Sequence, residues 1–249
     1  MSLEKVETGI NGLDEILGGG IPRGSTVLIT GYSGTGKTIL GIQFIVNGIK
    51  MFNEKGLIVV AGEDIERLQK SMLQFGWDLK QLEKEGKLIL IDVTSVTIGV
   101  PTDVEFTEFQ LKTMDIKQLV LTIYNAVKQN NIKRVVIDSI PNIITNKDDI
   151  HKIRTSLLTL CILLERFGCT TLMVTDIPEG SEKLSTYGVE EFVASGIIKL
   201  SFEKSGGKWI RKMQVRKMRG TKHKLDEYIF KITENGIKIL EKLLNHQRY

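Results

Sequence analysis

Gly31-Tyr32-Ser33-Gly34-Thr35-Gly36-Lys37-Thr38 fills every required position of the pattern G-x-x-x-x-G-K-S/T. Upstream, Ser25 to Thr30 is a short, β-branched and apolar run, the composition of a buried parallel strand. Downstream, Ile39, Leu40, Ile42, Phe44, Ile45, Val46 and Ile49 recur at helical spacing. Strand, glycine loop and helix therefore follow in the order that a phosphate-binding loop requires. Glycines at 31, 34 and 36 allow backbone conformations that a Cβ would block, so that successive N–H groups turn inward onto phosphate oxygens. The start of the following helix adds its positive dipole end. Lys37 is expected to reach the β- and γ-phosphates of ATP, and the Thr38 hydroxyl to enter the Mg²⁺ shell. Ser33, Thr35 and Ile39 complete the nucleotide-binding stretch.

Working outward, Gly56 to Gly62 reads as a second buried strand with Glu63-Asp64 at its carboxyl end. In open α/β sheets, ligands bind outside the carboxyl ends of strands, so these carboxylates would face the γ-phosphate. Glu63 is the favoured catalytic base, orienting or deprotonating water. Asp64 is read both as a second acidic group of the site and as the cap of a helix from Ile65 to Phe75. A third strand is expected at Lys87 to Val93, and a surface loop from Thr94 to Thr113, where periodicity is lost. Helical spacing returns over Asp115 to Lys128 and feeds Lys133 to Ser139, an apolar strand ending in Asp138. That is the form of a Walker B aspartate, which would hold Mg²⁺ through water. A long helix over Asp148 to Phe167, closed by Gly168, leads to a strand over Thr170 to Thr175 with Asp176 at its end. Thr175 and Asp176 are read either as a sensor of the γ-phosphate or as a strand-end cap. Ile177 to Tyr187, polar and glycine-containing, is expected to be a mobile loop.

After Gly196 the pattern changes to short strands joined by turns, at Gly196 to Ser201, Lys208 to Val215, Glu227 to Thr233 and Gly236 to Leu240. The expected fold is α/β: a mainly parallel sheet flanked by helices, with an antiparallel C-terminal extension. At 249 residues, without a linker, the chain is read as one domain over 1–249. A hydrophobic fraction of 41% and a charged fraction of 26% exclude disorder and coiled coil. The net charge of +4, from 34 basic and 30 acidic residues, is too small and dispersed to argue for nucleic acid by itself. With no run of transmembrane length and no secretory h-region, no membrane partner is expected and the cytoplasm is the expected compartment. Cys161 and Cys169 read as reduced core thiols.

These motifs resemble the RecA-like P-loop NTPases, and most closely the KaiC-like branch. The matching pieces include Thr8-Gly9-Ile10, Gly12-Leu13-Asp14, Gly18-Gly19-Gly20-Ile21-Pro22, the phosphate loop and Glu63-Asp64. Tyr187 to Val193, Lys217-Met218-Arg219-Gly220-Thr221-Lys222-His223 and Ile232 to Gly236 match as well. The resemblance implies an ATPase that forms a homo-oligomeric ring, commonly a hexamer, with ATP between neighbours. Lys217, Met218, Arg219, Thr221 and His223 would then touch the nucleotide held by the next subunit, with Arg219 acting as an arginine finger. Thr233 and Glu234 would lie near the base. In the family an acidic pair follows the second strand, and Asp64 stands where a second Glu is usual. Two other functions stay open at this point, besides the weaker one of protein phosphotransfer. One is an ATP-dependent assembly switch with little turnover. The other is a DNA-handling ATPase, although the loops at 141–149 and 177–187 are neither strongly basic nor aromatic.

Overall fold

The computed structural model describes residues 3–93, 116–143, 149–178, 180–181 and 183–243. The surface loop expected from Thr94 to Thr113 lies outside them. Among the described residues the strands are β1 (Lys5–Val6), β2 (Ile21–Pro22), β3 (Thr26–Gly31), β4 (Gly56–Val60), β5 (Leu88–Asp92), β6 (Arg134–Asp138) and β7 (Thr170–Asp176). They continue as β8 (Gly196–Ser205), β9 (Lys208–Met218), β10 (Glu227–Thr233) and β11 (Gly236–Lys242). The helices are α1 (Leu13–Ile16), α2 (Lys37–Phe52), α3 (Ile65–Met72), α4 (Leu79–Lys84), α5 (Ile116–Asn130), α6 (Ile140–Ile143), α7 (Ile150–Arg166) and α8 (Glu190–Val193).

Nine strands form one sheet in the order β11-β10-β9-β8-β3-β7-β6-β4-β5, while β1 and β2 pair separately. β3 is buried throughout and pairs in parallel on both sides, with β7 at Thr26↔Thr171 and with β8 at Val27↔Gly196. Its uninterrupted apolar run follows from that position, because helices cover both faces. On one face α2 packs with Phe44, Ile45 and Ile49 inward, joined by Leu79 and Leu82 of α4. On the other, Leu119, Ile123 and Val127 of α5 meet Leu157, Leu160 and Leu164 of α7.

Packing, rather than propensity, holds α2. Burying Leu40, Ile42, Phe44, Ile45 and Val46 stabilises by about 1.5–3 kcal/mol each, against about 1 kcal/mol for each interior glycine. The glycines have a packing reason: a Cβ on Gly48 would lie 2.3 Å from Cδ of Arg134, the first residue of β6. Arg134 is 1% exposed and is held by Glu54 at 2.7 Å and by the Phe44 carbonyl at 3.1 Å. Its guanidinium also lies over the Phe44 and Phe52 rings. Glu54 in turn binds Arg23 at 3.1 Å, so one ionic network joins the foot of β6 to the end of α2 and to the segment before β3.

The second half carries the change in pattern within a single strand. β8 is parallel to β3 on one side and antiparallel to β9 on the other, and β9, β10 and β11 then pair antiparallel in sequence. β8 and β9 run further than expected, to Ser205 and Met218. The N-terminal glycine-rich segment is anchored: the Asp14 carboxylate accepts the N–H groups of Thr8 and Gly9 at 2.7 and 3.0 Å, and Asn47 of α2 donates to the Gly9 carbonyl. The mobile loop expected over 177–187 is corrected at its far end. Ser185 is fully buried, and Leu184 accepts the hydroxyl of Thr30. No helix among the described residues is long and apolar enough to cross a membrane.

Candidate nucleotide site

The carboxyl ends of β3, β4, β6 and β7 open onto one cavity of about 450 Å³, lined on the loop side by Ser33, Gly34, Gly36, Lys37, Thr38 and Ile39. Gly36 caps α2 in the left-handed region at φ 105°, and a Cβ there would lie 3.1 Å from Ile232 Cδ1. Glycine is thus required both for the turn and for the room beside it. Gly31 and Thr35 are interior to the loop: Gly31 ends β3, and the fully buried Thr35 donates its hydroxyl to the Tyr32 carbonyl at 2.8 Å.

The Lys37 ammonium is 2.9 Å from the carbonyls of Gly31 and Tyr32 and 2.8 Å from Asp176 Oδ1, with its side chain 8% exposed. Its three N–H directions are therefore all met by oxygen acceptors, one of them anionic. A phosphate oxygen is the same kind of partner as the Asp176 carboxylate and would compete for the same charge.

Opposite the loop lie Glu63, which follows β4, and Asp138, the last residue of β6. Burial pushes the Asp138 carboxyl up; the charges of Asp176 and Glu63 add to this, while the Thr38 hydroxyl and Lys37 pull it down. Three carboxylates thus share this region with two cationic side chains, Lys37 and Arg211, an excess of anionic groups that a bound cation would relieve. Thr38 and Asp138 supply the hard oxygen donors that Mg²⁺ prefers. Among the described residues no group of three His, Cys, Asp or Glu side chains forms a metal cage. The residues present fit Mg²⁺ arriving with a triphosphate.

The acidic pair separates by geometry. Glu63 lines the cavity, whereas Asp64 caps α3 and accepts the Arg67 N–H at 2.8 Å. Asp64 has its helix-cap role in this structure and does not line the cavity.

Asn142, Asp176, Arg211 and Ile232 also line the cavity. Asn142 donates to the Ala61 carbonyl at 2.9 Å and so ties α6 to the end of β4. Arg211 lies over the Phe202 ring, 5.5 Å from its centroid, and its Nε is buried without a partner. Sequence reading placed none of Asn142, Arg211 and Ile232 in the chain's own cavity, although a signal existed for Arg211. It alternates with Met213 and Val215, both buried in the core, and so belongs to the inward face of β9.

Lys217, Met218, Arg219, Thr221, His223, Thr233 and Glu234 do not line their own chain's cavity. Lys217 donates to the carbonyls of Glu191 and Ala194 at 3.0 and 2.6 Å, and Met218 is buried. Arg219 and Glu234 are exposed. The Thr221 hydroxyl is 3.4 Å from His223 Nδ1, and Nε2 of that ring is buried without a partner. Thr233 closes the β10–β11 turn, donating to the Gly236 carbonyl.

A phosphate loop on the middle strand of a mostly parallel sheet, an aspartate ending β6 and an antiparallel C-terminal section define a RecA-like P-loop fold. The family model described as ATPase: KaiC matches residues 6–243, and the chain belongs to the KaiC ATPase family. A UPF0273 protein of Pyrococcus horikoshii is 38% identical over 234 residues, covering 94% of this chain and 92% of that protein. The circadian clock oscillator protein KaiC of Synechococcus elongatus is 37% identical over 238 residues, or 96% of this chain but 44% of that protein. The crystal structure of a KaiC-like protein from Pyrococcus horikoshii superposes with a TM-score of 0.82 at 38% identity, covering 96% of this chain and 100% of that one.

Proposed function

We propose that residues 1–249 are one ATPase domain that binds Mg·ATP in this cavity and hydrolyses it, its site completed by a neighbouring copy in a homo-oligomeric ring. The observation that carries the reading is the convergence of Lys37, Thr38, Glu63 and Asp138 on one cavity. Loop N–H groups and Lys37 would hold the β- and γ-phosphates, with Gly31 and Thr35 shaping the loop from behind. Thr38 and Asp138 would hold Mg²⁺, which neutralises phosphate charge when bound. The Glu63 carboxylate would orient a water and take its proton as the oxygen bonds to the γ-phosphorus. The bond to the β–γ bridging oxygen breaks, and ADP and phosphate leave.

The exposure of Arg219, and the distance of its whole stretch from its own cavity, support a role toward a neighbour's nucleotide. Lys217, Met218, Thr221 and His223 would touch that nucleotide with it, and Thr233 and Glu234 would border the base. The expected ring is a hexamer in the cytoplasm.

The test is light scattering with and without Mg·ATP, with phosphate release followed in the same samples. Nucleotide-dependent assembly with phosphate release, lost in Glu63→Gln, is the expected result. Equal turnover by a monomer would remove the neighbour's role. A ring without turnover would leave an assembly switch, and unchanged turnover in Glu63→Gln would remove the base.

A further inference from the structure

Glu190 is fully buried, and among the described residues its carboxylate has only neutral donors. It accepts the Thr175 hydroxyl at 3.2 Å, the Tyr187 N–H at 3.2 Å and the Val189 N–H at 3.1 Å. A fully buried carboxyl group is costly unless several hydrogen bonds satisfy it. Here those bonds tie the turn before α8 to the last residues of β7. That strand end is also the part of the chain that holds the phosphate-loop lysine. The Asp176 side chain binds Lys37, and its main-chain carbonyl accepts the Thr186 hydroxyl at 2.8 Å.

Glu190 opens α8, and the far end of that helix is joined to the basic stretch. Lys217 donates to the carbonyls of Glu191 and Ala194. The Arg219 N–H donates to the Ser195 carbonyl at 3.0 Å, and the Ser195 N–H to the Thr26 carbonyl at 2.8 Å. With the Thr186 N–H donating to the Thr175 hydroxyl oxygen at 3.4 Å, a chain of bonds runs from Lys37 through Asp176, Thr186, Thr175, Glu190 and α8 to Lys217 and Arg219, within one subunit.

We propose that Glu190 is a positioning residue that transmits the state of a chain's own phosphate loop to the Lys217–Arg219 stretch which the chain offers to its neighbour. The inference rests on the nucleotide-site reading above. A phosphate oxygen arriving at Lys37 releases the Asp176 carboxylate. The strand end relaxes, and the Thr175–Glu190 bond carries that change into α8 rather than letting the turn absorb it. Around a ring, each site would then prepare the residues serving the next, which is a coupling between two distinct sites.

The test is hydrogen exchange of the dilute monomer, its 28.0 kDa mass checked by light scattering, with and without the Mg²⁺ complex of the β,γ-imido analogue of ATP. Binding is expected to slow exchange in residues 31–38, and to change it by about 5-fold or more in 190–195 and 217–223. Glu190→Gln keeps the side-chain volume but accepts fewer bonds. It should keep the analogue's affinity and the protection of 31–38, yet lose the distant change. Glu190→Met keeps the length of the side chain but removes every bond the carboxyl accepts and should behave alike, so the outcome does not hang on one variant folding. A distant change that survives both substitutions, or is missing from the unmodified chain although 31–38 are protected, overturns the coupling. No protection of 31–38 overturns the nucleotide reading, and the coupling with it.

Discussion

Replacing Glu54 should destabilise the protein more than replacing its partner Arg134, although Arg134 is the more deeply buried of the two. The Arg134 side chain is 1% exposed and that of Glu54 15%. Burial pushes the Arg134 guanidinium down from its ordinary pKa, and Glu54 is the main group holding it up. In Glu54→Gln that charge stays buried with the Phe44 carbonyl and two aromatic faces but without its ion-pair partner, a loss of about 3–5 kcal/mol. In Arg134→Met the charge itself is gone while most of the stem volume remains, and Glu54 keeps Arg23 at 3.1 Å and partial access to water. What is lost is a charge-assisted bond and the ring contacts, about 1–3 kcal/mol. At about 2–4 °C per kcal/mol for a chain of this size, Glu54→Gln should melt about 6–20 °C lower and Arg134→Met about 2–12 °C lower. The assay is equilibrium unfolding in guanidinium chloride without nucleotide, comparing midpoints at equal slope. Finding Arg134→Met equal to or worse than Glu54→Gln would refute the argument from the uncompensated buried charge.

Lys37→Met should weaken Mg·ATP binding by roughly 10- to 100-fold, from loss of a charge-assisted contact worth about 1.5–3 kcal/mol, as read by titration calorimetry. Asp138→Asn should raise the melting temperature of the nucleotide-free protein at pH 7.5. A carboxyl whose folded pKa is raised contributes most to stability below its unfolded value of 3.8 and loses that contribution as pH rises through the folded pKa, so its charge is a cost at neutral pH. The gain should shrink as pH falls toward that value in a thermal scan, and a gain independent of pH would rule out charge as the cause. Cys161 and Cys169 are free thiols pushed up to about 11 by burial, so neither should react with a disulfide reagent at pH 8 until denaturant is added.

Gly31 to Thr38 announced the phosphate loop because its chemistry is local: glycines for the turn, a lysine for charge and a hydroxyl for the metal all lie within eight residues. The strands beside it were legible because burial on both faces demands continuous apolar runs. Asn142 was hidden, and Arg211 showed only as an inward position of its strand, because they reach the cavity through sheet order, which brings β9 next to β8 and α6 next to the end of β4. The segment before α8 read as mobile from its polar composition. Ser185 is buried there instead, its hydroxyl oxygen accepting the Gly188 N–H, while the Tyr187 N–H is met by Glu190 of α8, a solution that composition does not reveal. Of the two readings of Asp64, the N–H of Arg67 gives it the helix cap.

The place of β3 in the middle of the sheet has a consequence for the order in which the molecule is made. Thr26 pairs with Thr171, 145 residues later, and Val27 with Gly196, 169 residues later. At about 5–20 residues per second of synthesis, an apolar strand destined for the centre of the sheet waits roughly 7–30 seconds before its first partner exists. During that wait neither edge of β3 has its native partner, and the loop that is to hold phosphate has no strand beside it to set its shape. A chaperone that shields extended apolar segments would therefore find its moment early, while the nucleotide could assist only after the last third of the chain has emerged.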